Sequence, residues 1–142
     1  HSGVPSGYRR AAADGLEIIE LSSEGPAKHY DPGTLRLIPW DGAAPRVLAE
    51  GVYPWYRRLA DGRVLTTRPI GSYQARDPMD LVLIDGDDER RIDRAVSALG
   101  PSYSGVGNPD SYYRVVGDLL LYAVRDDAGP RSGVWAVNLS RL

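Results

Sequence analysis

Short runs in which apolar and polar residues alternate dominate the 142-residue chain. A period of two is typical of β-strands that bury one face. The runs recur in three segments, and each segment opens with tyrosine followed by arginine: Tyr8-Arg9-Arg10, Tyr56-Arg57-Arg58 and Tyr112-Tyr113-Arg114. The pattern therefore predicts an all-β protein that contains an internal repeat.

Each unit continues with a turn containing Asp and Gly, an apolar run and then an alternating run. Gly beside Asp between two extended runs predicts a hairpin, because Gly adopts positive φ without a Cβ clash. In the first two units, a second turn and a closing run follow. The apolar runs are 16–21, 63–67 and 119–124, the alternating runs are 34–40, 80–85 and 133–139, and the closing runs are 45–49 and 91–96.

Eleven strands follow from this pattern, because no closing run comes after the alternating run of the third unit. We predict one domain, 1–142, with repeat units at about 4–50, 51–97 and 111–142 and an inserted loop at 98–110. The missing strand leaves an open sheet edge, which is a template for pairing with another chain. A short helix over 87–99 is an alternative, because Ile92, Val96 and Leu99 have helical spacing.

The order of these features resembles the blade of TolB-like and related WD-type β-propellers. The resemblance extends from Tyr8 to Leu139 and is best in the second unit, whose Asp80-Leu81-Val82-Leu83-Ile84-Asp85 strand precedes Gly86. Two features depart from that pattern: the Ser-Pro that usually precedes Asp-Gly is absent, and Gly117-Asp118 reverses the order. The resemblance implies three antiparallel, four-stranded propeller-type blades, the last one incomplete, and favours a periplasmic or extracellular location.

A propeller ring needs at least four blades, so three blades cannot close one. The chain is therefore expected to be part of a longer propeller, or to be completed when two copies form a six-bladed ring. A small β-sandwich is the alternative fold. In either propeller, we expect a protein partner or self-association through the open edge of the third unit.

Composition narrows the classes of partner and chemistry. Seventeen basic and nineteen acidic residues give a net charge of -2, which provides no positive field for a nucleic acid. Apolar runs such as 119–121 are far shorter than the ~20 residues that cross a bilayer, so no membrane span is expected. The absence of cysteine excludes disulfides and thiolate metal sites.

Catalysis, cofactors and metals are not expected. The two histidines, His1 and His29, lie in no nucleophile elbow, paired-His helix or phosphate-binding loop. An alternative is that His1 binds copper through its amine and ring together with a second imidazole. The four carboxylates within 85–89 could bind a hard cation, although a solvated hairpin turn is the simpler interpretation.

Aromatic residues interleaved with arginines could form a carbohydrate or peptide recognition surface. The repeated Tyr8, Tyr56 and Tyr113 are instead predicted to pack between units. Candidate binding residues come from the two long loops, 69–78 and 100–110, since long loops are often functional. They are Tyr73, Arg76, Tyr103, Asn108 and Asp110.

The predicted function is a non-catalytic binding or scaffolding domain for protein–protein assembly. The alternatives are an accessory or gating propeller of a hydrolase and a glycan or small-ligand binding module.

The aromatic residues considered for a recognition surface are Tyr53, Trp55, Tyr56, Tyr73, Tyr103, Tyr112 and Tyr113.

Overall fold

A computed structural model describes residues 9–21, 32–53, 55–69, 79–97, 113–124 and 130–142 of the chain. Within these residues it contains eleven strands and one short 3-10 helix, Leu139–Arg141. No helix among them has the length and apolar sequence that crossing a membrane requires. The strands are β1 (Arg9–Ala11), β2 (Gly15–Leu21), β3 (Gly33–Pro39), β4 (Arg46–Val52), β5 (Arg57–Arg58), β6 (Val64–Pro69), β7 (Met79–Asp85), β8 (Asp88–Ser97), β9 (Tyr113–Val116), β10 (Leu119–Val124) and β11 (Gly133–Asn138).

The strands form three consecutive antiparallel groups, which we call the first sheet (β1–β4), the second sheet (β5–β8) and the third sheet (β9–β11). Neighbours in sequence are neighbours in each sheet. The end of β8 also pairs with the end of β10, so the second and third sheets share a continuous strand order. The predicted all-β, antiparallel architecture is confirmed, and no sheet closes on itself among the described strands.

The helix considered for 87–99 is wrong, because β8 extends over Asp88–Ser97. The strand begins directly after the turn at Gly86 and Asp87, three residues earlier than the predicted closing run. Pairing with β7 from Asp85 onward outweighs the helical spacing of Ile92 and Val96. Short apolar spacings of this kind do not distinguish helix from strand without a pairing partner.

The first and second sheets have irregular register at matching places. In each sheet the register shifts lie between the third and fourth strands, where an additional residue bends and twists the strand that carries it. This match makes Leu35 structurally equivalent to Leu81. The pairs that define the shifts are Gly33 with Val52, Leu35 with Ala49 and Arg36 with Val47 in the first sheet, and Met79 with Val96, Leu81 with Asp93 and Val82 with Arg91 in the second.

Equivalent positions also occur across the opening strands. In each sheet, an arginine of the opening strand begins a row of three paired residues. These rows align all three sheets, so that Glu17, Leu65 and Leu121 are equivalent. The rows are Arg10, Glu17 and Leu37; Arg57, Leu65 and Leu83; and Arg114, Leu121 and Ala136.

Two apolar clusters hold the sheets together as layers, with the second sheet in the middle. Successive side chains of a strand point to opposite faces. Val64 of β6 therefore packs with the first sheet, whereas Leu65 packs with the third. We call the face that points toward the following sheet in chain order the forward face, and the opposite one the backward face. The first cluster joins Ile19, Leu35, Ala49 and Val52 to Tyr56, Val64, Val82 and Ile84, and the second joins Leu65, Leu81, Leu83 and Val96 to Tyr113, Leu120, Tyr122, Val124 and Leu139.

Tyrosines at equivalent positions connect each sheet to the one before it. The hydroxyl of Tyr56 donates to Glu17 Oε1 at 2.8 Å, and that of Tyr113 lies 3.3 Å from the carbonyl oxygen of Leu65. Because both rings are buried, the predicted packing of these two tyrosines between units is confirmed. Trp55 is buried as well, so these three aromatic residues cannot form the recognition surface considered above. Tyr8 lies outside the described residues.

The glycines of the Asp-Gly turns act in two ways. Gly62 and Gly86 have φ of 92° and 60°, as expected for hairpin turns. Gly15 differs, because it lies in extended strand β2 and does not have positive φ. A Cβ there would lie 2.4 Å from the carbonyl oxygen of Ile38. The reason for glycine at this position is the close approach of β3.

Candidate functional site

The third sheet has an open edge at β11. This strand pairs with β10 on one side, and no described strand pairs with its other side. In the first and second sheets, β4 and β8 fill the corresponding place beside β3 and β7. The backbone of β11 therefore presents N–H and C=O groups at an unpaired edge within the described part of the chain.

The segment after β11 does not fold back along this edge. The Asn138 side chain caps the short 3-10 helix by accepting from the backbone N–H of Ser140 at 3.0 Å. The N–H of Leu139 donates to the carbonyl oxygen of Asp118 at 2.7 Å, and its side chain is buried in the second cluster. Arg63 of the second sheet donates to the carbonyl oxygens of Leu139 and Leu142 at 3.1 and 3.3 Å. These contacts direct the segment toward the second sheet.

No described strand covers the forward face of the third sheet either. Leu35 and Leu81, on the forward faces of the first two sheets, are fully buried, but the equivalent Val134 is 74% exposed. Val116 is 62% exposed on the same face. The side chains of this face within the described strands are apolar apart from Arg114 and Asn138: Val116, Leu119, Leu121, Ala123, Val134 and Ala136.

A polar cluster joins the end of the second sheet to β11. Tyr122 donates to Asp93 Oδ2 at 2.7 Å, and Arg131 forms an ion pair with the same carboxylate. The guanidinium carbon of Arg131 lies 5.6 Å from the ring centre of Trp135, and Trp135 Nε1 donates to the Arg131 carbonyl oxygen at 2.9 Å. The cluster therefore holds a partly exposed tryptophan, 42% accessible, on the open strand.

Charge in this cluster shifts the titration of its members. Burial opposes ionisation of Asp93, but hydrogen bonds from Arg131, Tyr122 and the N–H of Arg94 outweigh it and lower the pKa of the carboxyl group. Burial and the hydrogen bond to Asp93 raise the pKa of Tyr122. Tyr122 therefore remains protonated and Asp93 ionised at neutral pH.

A second polar cluster lies between the first and second sheets. The buried carboxylate of Glu17 accepts from Tyr56 through Oε1 and from Arg58 Nε through Oε2 at 3.0 Å. Arg58 also donates to Asp14, and this hydrogen bond lowers the pKa of Asp14. Arg10 lies 4.8 Å above the Tyr56 ring. Burial, followed by the interaction with Glu17, raises the pKa of Tyr56. Since both Glu17 oxygens have partners, this carboxylate serves to join the sheets.

The carboxylate-rich stretch 85–89 forms the exposed β7–β8 turn and the strand residues beside it. In the described ranges, no three His, Asp or Glu side chains converge into a group that could hold a metal ion. His1 and His29 lie outside those ranges.

All five candidate binding residues from the long loops, Tyr73, Arg76, Tyr103, Asn108 and Asp110, lie outside the described residues. The apolar forward face of the third sheet and Trp135 did not emerge from the sequence. Alignment of Val134 with Leu35 and Leu81 was the available signal, since it assigns a core-type residue to the last of the three units.

No protein-family model, curated protein or solved structure matches the chain. The open edge of β11 and the two polar clusters are the features of the described structure that bear on function.

Proposed function

We propose that this chain is a non-catalytic binding or scaffolding domain that mediates protein–protein assembly, within a larger β-propeller, through the open edge of β11. The observation that carries the proposal is that no described strand pairs with the outer side of β11, at the place that β4 and β8 fill in the other sheets. An extended segment from a partner would supply the fourth strand there. Strand addition of this kind is a common mode of protein recognition.

The stacking of the sheets supports the propeller. The second sheet is buried on both faces, and several equivalent positions are used in both of its interfaces, among them Leu35 and Leu81 on one side and Tyr56 and Tyr113 on the other. Face-to-face stacking of successive four-stranded antiparallel sheets is how propeller blades pack. The equivalent tyrosines each connect a sheet to its predecessor, Tyr56 by donating to the carboxylate of Glu17 and Tyr113 by donating to the backbone carbonyl oxygen of Leu65.

The polar clusters support a structural role for the charged residues. The side chains of Glu17 and Asp93 are 4% and 8% exposed, and each is bound by an arginine and a tyrosine. A catalytic acid or base needs a group that is available to a substrate proton. In these clusters the carboxylate oxygens accept hydrogen bonds that join the sheets.

The test uses the fourth strand of the second sheet as the probe. A labelled peptide with the sequence of β8, Asp88–Ser97, is titrated with the whole chain, and binding is followed by fluorescence anisotropy. The matched control is the same peptide with N-methyl groups at alternate backbone nitrogens, which keeps the side chains but removes donors from one edge. Control peptides are made with both phases of methylation.

We expect saturable binding of the unmodified peptide and loss of binding with one phase of methylation, because only one set of N–H groups can face β11. Equal binding of all peptides would show that side chains, and not strand pairing, are recognised. That result, or no binding up to millimolar concentration, would refute the proposed function.

A further inference from the structure

The two interfaces between sheets follow one rule, and the rule leaves two faces unused. In each interface, the forward face of one sheet packs on the backward face of the next. The forward face of the third sheet and the backward face of the first sheet lie at opposite ends of the stack. Neither has a following or preceding sheet among the described strands.

The residues on the unused forward face of the third sheet occupy positions that are buried between sheets elsewhere in the stack. Val134 and Ala136 are equivalent to Leu81 and Leu83, which are buried against the third sheet. Leu121 is equivalent to Leu65, to which the following tyrosine is bonded. These apolar side chains continue an established interface into solvent, and exposed apolar groups of this extent are typical of interaction surfaces.

The unused backward face of the first sheet contains the positions that, in the second sheet, pack against the preceding sheet. Leu16 pairs with Ile38 as Val64 pairs with Ile84, so these two residues correspond to those that the second sheet packs against the first. Ile38 is 39% exposed and Val47, on the same face, is 46% exposed. Two of the charges on this face are paired, since Arg36 and Glu20 form an ion pair at 2.6 Å, and Arg9 adds a third charge beside Ile18. The face therefore combines apolar side chains, of which Ile18 is only 9% exposed, with three charged residues.

We propose that the forward face of the third sheet binds the backward face of the first sheet in a second copy of this chain. The inference rests on the proposed function, because it names the partner in the assembly. The contact is head-to-tail, and two copies placed this way form two equivalent contacts around a ring of six sheets. A head-to-tail interface can close into such a ring when the rotation between copies permits it.

One glutamate substitution on each face tests this arrangement. Val134→Glu disrupts the forward face of the third sheet, and Ile38→Glu disrupts the backward face of the first. Both side chains are substantially exposed in the chain, so the fold should survive, which circular dichroism and thermal unfolding check. Ala60→Glu, at the exposed β5–β6 turn of the middle sheet, is the matched control.

Molar mass is measured by sedimentation and light scattering over a range of concentrations. We expect the unsubstituted chain and the Ala60→Glu control to reach about twice the 15.5 kDa mass of one chain. Each face variant alone should be monomeric, because an unpaired buried charge should raise the dissociation constant about 100-fold or more. Mixing the two face variants should restore a heterodimer, because one contact then has two intact faces.

Three results would overturn the inference: a monomer at every concentration, a dimer that Ile38→Glu does not affect, or no heterodimer in the mixture. A dimer lost only through Val134→Glu would indicate that two third sheets pack against each other. A monomer that still binds the β8 peptide would refute this inference and leave the proposed function standing. A dimer that does not bind the peptide would support this inference and refute the proposed strand addition at β11.

Discussion

Tyr56 and Tyr113 form a natural pair for measuring what the buried polar contacts contribute. They occupy equivalent positions, and both rings are buried between sheets. The hydroxyl of Tyr56 donates to the carboxylate of Glu17, whereas that of Tyr113 lies 3.2 and 3.3 Å from the carbonyl oxygens of Trp55 and Leu65. Substitution of each tyrosine by phenylalanine removes one hydroxyl and leaves the ring.

The acceptor determines the size of the expected effect. A hydrogen bond to a charged group contributes about 1.5–3 kcal/mol to stability, and one between neutral groups about 0.5–1.5 kcal/mol. Tyr56→Phe also leaves a buried carboxylate with one partner fewer, although Arg58 still binds its other oxygen. We expect Tyr56→Phe to lower the free energy of unfolding by about 2 kcal/mol and Tyr113→Phe by about 1 kcal/mol.

Urea denaturation at pH 7, followed by tryptophan fluorescence, measures both losses. The slope of unfolding free energy against urea should not change, so that midpoints can be compared directly. A double-mutant cycle with Glu17→Gln isolates the contact, and we expect a coupling energy of about 1–2 kcal/mol. If Tyr113→Phe costs as much as Tyr56→Phe, or the coupling is zero, the charged hydrogen bond does not join the first two sheets as argued.

Three further predictions address the core, the titration of Asp93 and the close approach at Gly15. Leu81→Ala should cost about 2–5 kcal/mol in urea unfolding, whereas Val134→Ala should change the monomer by under about 0.5 kcal/mol; similar losses would contradict the assigned faces. Because folding lowers the pKa of Asp93, the ionised carboxylate stabilises the folded state. This stabilisation is fully present above the unfolded pKa of about 3.9 and is lost as pH falls through the folded value. Asp93→Asn should therefore flatten the fall in melting temperature below about pH 4, and an unchanged pH profile would count against the cluster. Gly15→Ala should lower stability by about 1–3 kcal/mol through contact with Ile38, and a neutral result in thermal unfolding would show that β3 can move away.

The strands were predictable because their signals are local. Alternation of apolar and polar residues, together with glycines such as Gly62 and Gly86, is sufficient to place a hairpin. Where two local interpretations competed, at 87–99, the choice depended on β7, which offers a paired edge along the whole of β8. The role of Gly15 was also misjudged, because a close approach from another strand leaves no trace in the residues beside it.

The candidate site was less predictable for a related reason. An absent fourth strand is visible as a missing run in the sequence, so the open edge of β11 could be expected. Exposure of a face is different, because Val134 and Leu81 belong to the same kind of run and differ only in what covers them. Loop residues were favoured for binding because they do not recur between units and because their loops are long, while the partly exposed Trp135 was placed by contacts with Arg131.

The amino-acid sequence by itself determined the strands, their antiparallel order and the repetition of a tyrosine at the start of each unit, since these depend on residues close together in the chain. Only the tertiary structure decided that the second sheet is buried on both faces and that the forward face of the third is not. Burial depends on which sheet packs against a face, and the hydrophobic pattern of one strand contains no information about its neighbour across the layer.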